Sequence, residues 1–220
     1  APKGYDRWCG PSPVLPYMEA RHHWSWRWHT NYGRGQLMDW IGHHNDIAHW
    51  GLGLEATGGG GGPISVEAKN WDFSKTPDIY DTAWQYDVIS KYPGDIEVKM
   101  SSRVRMGTKW IGTDGWVYVD RGRLDASNKE WAKGGFNAGK FKAYNSPGHQ
   151  RNFIDSVKSR KETVAPAENA HRSVTPGHIA YVSHEIGRAI KWDPKKEVVI
   201  GDDKAQKILN ALPYRGDWKI

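Results

Sequence analysis

Apolar residues recur at helical spacing in only a few stretches of the chain. From Gln36 to Trp50, the positions Leu37, Trp40, Ile41, Ile47 and Ala48 predict one helix. Gly51-Leu52-Gly53 predicts its end, because glycine takes the left-handed conformation of a helix stop without a side-chain clash. After the glycines 58 to 62 and Pro63 the period changes to two. Ile64 to Lys69, Tyr86 to Tyr92, Ile96 to Ser101 and Trp116 to Val119 then read as strands. Lys109 to Trp116 predicts a hairpin with Asp114-Gly115 as its turn. Trp24-Ser25-Trp26-Arg27-Trp28 alternates too, and predicts a short strand with one indole face.

A polar excursion rich in Lys and Gly runs from about Asn128 to Tyr144, and helices follow. One opens at Ser146 or Pro147 and carries Phe153, Ile154 and Val157 as its apolar stripe. A second runs from about Ala167 to Ile190 with Pro176-Gly177 inside it, where a break or kink is expected. A last short helix spans about Lys204 to Leu212. Residues 1 to 20, with Pro2, Pro11, Pro13 and Pro16, read as an extended connector laid against something else. There is no repeat. Helix, then strands, then helices predicts an α+β fold: a mainly antiparallel open β-sheet with helices packed on one face. The other face is left for a partner domain or a ligand.

Composition narrows the function. The chain has 220 residues, 38% hydrophobic and 25% charged, enough for one core-bearing domain with an appendage and too apolar for disorder. Lys and Arg number 31 against 25 Asp and Glu, a net charge of +6, but the basic residues are scattered, which argues against a nucleic-acid module. No apolar stretch is long enough to cross a bilayer, and Ala1 to Asp6 contain no secretory leader. The single cysteine, Cys9, allows no internal disulfide and leaves the compartment undecided between cytoplasm and periplasm. The 13 tryptophans are unusual; indoles serve both large cores and ligand platforms.

The densest polar cluster lies on the first long helix: Asp39, His43, His44, Asn45, Asp46 and His49. Asp39 and His43 are one turn apart on one face, with Asp46 three residues further on. A carboxylate one turn from an imidazole is an arrangement suited to general acid/base work; the plain alternative is a solvated face with helical ion pairs. Trp40, Ile41 and Trp50 among these residues predict a mostly covered helix. The histidines between His22 and His49 show no metal-ligand spacing, and no metal site is assigned. Gly51-Leu52-Gly53-Leu54-Glu55-Ala56 matches a dinucleotide fingerprint formally, but it follows a helix instead of a strand; no cofactor site is assigned within this chain.

Gly35 to Trp50 resembles the catalytic helix of the Gfo/Idh/MocA oxidoreductases, whose approximate pattern is G-G-x-x-x-D-x-x-x-H-x-x-D. Asp39, His43 and Asp46 fit it, and Arg34 replaces the first glycine. Trp8-Cys9-Gly10-Pro11 resembles the connector that leaves the nucleotide-binding domain in a bacterial branch. The Lys109 to Gly122 hairpin, the His149 to Lys161 helix, and the segments Trp192-Asp193, Gly201 to Asp203 and Pro213 to Arg215 resemble later parts of that branch.

The resemblance implies a C-terminal α/β half, with residues 1–23 a connector and 24–220 the substrate-binding and dimerisation domain. NAD or NADP would be held by an N-terminal Rossmann domain outside this chain, and the start at Ala1 in connector-like sequence predicts that such a segment precedes it. His43 would take the proton of a sugar or polyol hydroxyl, and Asp39 would orient it or bind a neighbouring hydroxyl. Asp46, His44, Trp26 and Trp28 are the candidate substrate-binding residues, with helix anchoring a second use for Asp46 and core packing a second use for the indoles. The expected partners are a sugar or polyol, the Rossmann domain and a second copy met through the sheet, with no nucleic acid and no membrane. The chain by itself is expected to be inactive. The alternative reading is a cofactor-free saccharide-binding or dimerisation module derived from that domain.

Overall fold

In a computed structural model the described residues are 1–54, 61–134, 145–211 and 214–218. Gly58 to Gly60, the later part of the 128–144 excursion, and Glu55-Ala56 of the formal glycine fingerprint lie outside them. So do Leu212 and Pro213. The elements are α1 (Tyr5–Cys9), 3-10 turns at Glu19–Arg21 and Ser25–Trp28, α2 (Gly35–Leu52), β1 (Ser65–Phe73), β2 (Ala83–Tyr92), β3 (Ile96–Ser101), β4 (Thr108–Gly112), β5 (Gly115–Asp120) and β6 (Arg123–Ala126). They continue with α3 (Lys129–Ala132), α4 (His149–Ser159), α5 (Ala167–Ile186), β7 (Ile190–Asp193), β8 (Val198–Val199) and α6 (Asp203–Asn210). Two compact units result: residues 1–41, 63–104 and 176–220, and residues 42–62 and 105–175.

The first unit is built on an antiparallel sheet in the order β3-β2-β1-β7-β8. Period-two alternation puts Val66 and Val88 on one face, both fully buried, together with Tyr92 and Ile190. The C-terminal half of α5, with Ile179, Ala180 and Val182 buried, belongs to the same core. Ser183 of that helix accepts a hydrogen bond from the Ala68 N–H at 3.0 Å. Asn70 adopts a left-handed conformation at a bulge in β1, and the next residue, Trp71, meets Tyr181 edge-on at 4.9 Å and stacks on His184 at 4.8 Å. The opposite positions are charged: Glu67 pairs with Lys69 at 3.0 Å, and Asp87 lies 3.6 Å from Lys99. One face apolar under a helix and one face polar is the α+β arrangement that the sequence predicts.

Residues 1–20 are less extended than expected, because Tyr5 to Cys9 form a helical turn closed at Gly10. Arg215, far along the chain, holds that turn. Its guanidinium donates to the Asp6 carboxylate (2.7 Å) and to the carbonyls of Asp6, Gly10 and Ser12 (2.9, 2.7 and 3.0 Å).

The second unit carries its own meander, β4-β5-β6, so the predicted strands form two sheets instead of one. The hairpin is offset by one residue: Gly112 pairs with Gly115, leaving Thr113-Asp114 as the two-residue loop. Gly115, at φ 146, opens the second strand where Ser127 Oγ would lie 2.1 Å from any Cβ. The Trp110 indole lies against Gly51 of α2, where a Cβ would come within 2.4 Å, and its N–H faces the Ala48 carbonyl at 3.4 Å. Thr108 Oγ1 donates to the His44 carbonyl at 2.8 Å. Asn45 Nδ2 donates to the Ser173 carbonyl of α5 at 2.7 Å, a buried polar link between two helices.

Two helical expectations change. The chain stays helical through Pro176, with no break; the Thr175 hydroxyl bonds back to the His171 carbonyl just before it (2.7 Å). The helix ends at Ile186, and Gly187 at φ 71 caps it, so Ile190 becomes a strand residue instead. In α4 the stripe of Phe153, Ile154 and Val157 is exposed (64, 46 and 48%), while the polar Asn152 is buried and accepts a hydrogen bond from the Val164 N–H at 2.9 Å.

Candidate functional site

The predicted strand at Trp24 to Trp28 is a 3-10 turn over Ser25–Trp28. Alternation by two suits a strand only if the backbone has a neighbour to pair with; here the His29 N–H returns to the Trp26 carbonyl (3.2 Å), and the carbonyl of Trp28 takes the N–H of Asp81 (3.2 Å). The three indoles therefore share no single face. Trp28 stacks on Trp84, centroids 6.1 Å apart, while Trp24 and Trp26 flank Arg27.

Close backbone approach fixes this turn against the start of α2. A Cβ on Gly33 would lie 2.6 Å from Arg27 Cα, so only glycine fits there. Gly35 combines φ 75 with a Cβ position 2.7 Å from the Thr82 side chain. The Tyr181 hydroxyl of α5 donates to the Arg34 carbonyl between these glycines, and burial raises its phenol pKa well above the ordinary value.

On α2, Leu37, Ile41, Asn45, Ala48 and His49 claim the buried side. Asp39 and His43 lie on the opposite side of the same helix and are exposed, which corrects the expectation of a covered pair. The reason is the 3.6-residue period: Trp40 and Trp50 flank the polar positions in sequence without covering them in space. Asp39 is not alone. Arg27 Nε donates to Asp39 Oδ1 at 3.1 Å, and the guanidinium carbon sits 4.2 Å from the Trp24 ring centre and 4.8 Å from that of Trp26. Arg27 is the residue that sequence reasoning missed; its only trace there is a cation between two tryptophans in Trp26-Arg27-Trp28.

The second unit holds the remaining candidates on α2. His44 is half-buried, and burial pushes its imidazole below the ordinary range against the pull of the Asp120 carboxylate. Asp46 is half-buried as well; burial pushes its carboxyl up, opposed by a hydrogen bond with Ser173. His49 is almost fully buried, and burial pushes it down to about 4. Among the described residues no three of His, Cys, Asp and Glu gather as a metal site. A surface depression of about 550 Å3 beside α4, lined by Pro147, Asn152, Asp155 and Lys158 among others, contains none of the predicted site residues. No helix among the described residues is long and apolar enough to cross a membrane.

Neither of two glycine runs forms a dinucleotide cradle. Gly51-Leu52-Gly53 closes a helix, with Gly51 pressed on Trp110, and Gly33-Arg34-Gly35 is filled by Arg27 and Thr82; neither opens a strand-to-helix cradle.

An antiparallel sheet backed by a long helix makes the first unit an α+β domain. Residues 2–220 match the family described as "Oxidoreductase family, C-terminal alpha/beta domain", and the chain belongs to that part of the Gfo/Idh/MocA oxidoreductases. Two solved structures share the fold. An NAD-binding protein from Listeria innocua is 14% identical over 83% of this chain, with a TM-score of 0.52. An aldose-aldose oxidoreductase from Caulobacter crescentus, complexed with glycerol, is 15% identical over 80% of this chain, with a TM-score of 0.54. The chain spans 52% of the length of each of these proteins. No curated protein matches it in sequence.

Proposed function

We propose that this chain is the substrate-binding and proton-transfer half of an NAD(P)-dependent oxidoreductase that acts on a hydroxyl of a sugar or polyol. The observation that carries the reading is the exposed face of α2, where Asp39 and His43 stand one turn apart and Asp39 accepts from Arg27, whose guanidinium lies against two indoles. An exposed acid–base pair is of little catalytic use in bulk water. A nucleotide-binding domain laid over this face, joined through residues 1–23, would bury it against substrate, with 24–220 as the substrate-side domain. A nicotinamide cofactor held by that domain would supply the hydride acceptor. His43 removes the hydroxyl proton as the carbinol carbon becomes a carbonyl, and returns it in the reverse direction. Asp39, which accepts from Arg27, orients the substrate or the imidazole. Trp26 and Trp28 supply apolar area for the sugar. His44 and Asp46, half-buried, serve the packing of α2. The charged outer face of the first sheet is the surface offered to a second copy.

In the full-length protein, His43→Ala lowers kcat by about two to four orders of magnitude and leaves NAD(P) affinity unchanged. Turnover equal to the wild type removes His43 from this role. Trp24, 66% exposed beside Arg27, favours a second reading in which the domain binds saccharide without chemistry. Saccharide binding with no NAD(P)-dependent turnover in the full-length protein selects that reading.

A further inference from the structure

Arg27 is held more firmly than a surface cation needs to be. Two aromatic rings lie 4.2 and 4.8 Å from its guanidinium carbon, and the absence of a Cβ at Gly33 lets the chain pack directly on its backbone. Yet only two of its five N–H groups are engaged among the described residues: Nε–H with Asp39 at 3.1 Å and one Nη1–H with the Trp24 carbonyl at 3.2 Å. Both N–H groups of Nη2 have no acceptor there. The Asp39 contact is single-pronged, and the side chains are 22% and 32% exposed, so water screens the attraction and the pair is exchangeable. A rigid, half-used guanidinium fork beside an indole that is 66% exposed is a combination suited to a flat ring bearing a carboxylate.

We infer that Arg27, Trp24 and Trp26 form a subsite for the carboxylate of an acidic sugar, with the free edge of Arg27 binding the carboxylate and Trp24 stacking on the sugar ring. This rests on the proposed carbohydrate reading and names its substrate class. Charge separates a carboxylate from a phosphate. Arg27 is the single cation of the subsite and Asp39 lies 3.1 Å from it, so the second charge of a dianion meets no cation of its own. A monocarboxylate also matches the fork geometrically, two oxygens to two N–H groups.

The test is calorimetric titration of the full-length protein with glucuronate, glucose and glucose 6-phosphate. Glucuronate binds at least about tenfold more tightly than glucose, the size of one charge-assisted hydrogen bond, and more tightly than the phosphate. Arg27→Gln abolishes the preference of glucuronate over glucose, and Arg27→Lys retains part of it. Trp24→Ala weakens both sugars alike, and this arm stands even if Arg27→Gln does not fold. Equal affinity for glucuronate and glucose, tighter phosphate binding, no glucuronate binding, or a preference that survives in Arg27→Gln overturns the subsite. Turnover of neutral sugars alongside any of these results leaves the oxidoreductase reading intact. Glucuronate binding without NAD(P)-dependent turnover removes that reading and keeps the subsite.

Discussion

The guanidinium of Arg27 donates to the carboxylate of Asp39 at 3.1 Å, and both side chains are partly exposed to solvent. Twelve residues separate them in sequence, and they meet because the Ser25–Trp28 turn folds back over Gly33 onto the first turns of α2. The pair gives Asp39 a partner from an element other than its own helix.

Being exposed, this pair contributes little to stability. Asp39→Asn changes the free energy of unfolding by less than about 1 kcal/mol in urea titrations. The same variant lowers turnover of the full-length protein at least about tenfold, because a carboxamide carries no charge to hold beside Arg27. A large loss of stability with normal turnover reverses the assignment.

Gly33 acts through space and not through its backbone angle. A methyl group there would lie 2.6 Å from Arg27 Cα and 2.8 Å from its carbonyl oxygen, and neither is the tip of a flexible side chain. Gly33→Ala therefore costs about 1–3 kcal/mol in denaturant unfolding. It also weakens saccharide binding as Arg27 is displaced. An unchanged midpoint shows that the turn relaxes freely.

Acid stability follows from His49. Its imidazole titrates at about 4 when folded against 6.5 when free, so between these values the unfolded chain binds the extra proton. Stability is complete above pH 6.5 and falls as the pH drops towards 4, by on the order of 3 kcal/mol for this group. His29, His44 and His184 are lowered by burial too and act in the same direction. His49→Gln therefore flattens the curve of unfolding free energy between pH 7 and 4 in part. A curve parallel to the wild type shows that His49 is not the group responsible.

The α4 stripe separates apolar character from core membership. Phe153 is 64% exposed and Ile179 is 1% exposed. In the same chain, Phe153→Ser changes unfolding free energy by about 0.5 kcal/mol or less, whereas Ile179→Ala costs about 2–5 kcal/mol. A core-sized loss at Phe153 in thermal or urea unfolding means that this stripe is covered.

Period and punctuation alone located α2, β1, β2, β3 and the β4–β5 hairpin, because repeated side-chain burial on one face leaves a mark that needs no partner to be read, whereas the short β6, β7 and β8 carry too few residues to show a period. The order of elements gave the α+β class, and the Asp39–His43 spacing gave two groups one turn apart. What local pattern could not separate was a strand from a tight turn at Trp24 to Trp28, where both conformations space indoles plausibly and only the neighbouring backbone decides. The apolar spacing of α4 identified a helix but not a cover for its stripe, since covering is a property of the partner surface. The bulge at Asn70, the division of the strands into two sheets, and the meeting of Arg27 with Asp39 all depend on residues distant in sequence, and a one-dimensional pattern carries no record of which distant residue fills a given space.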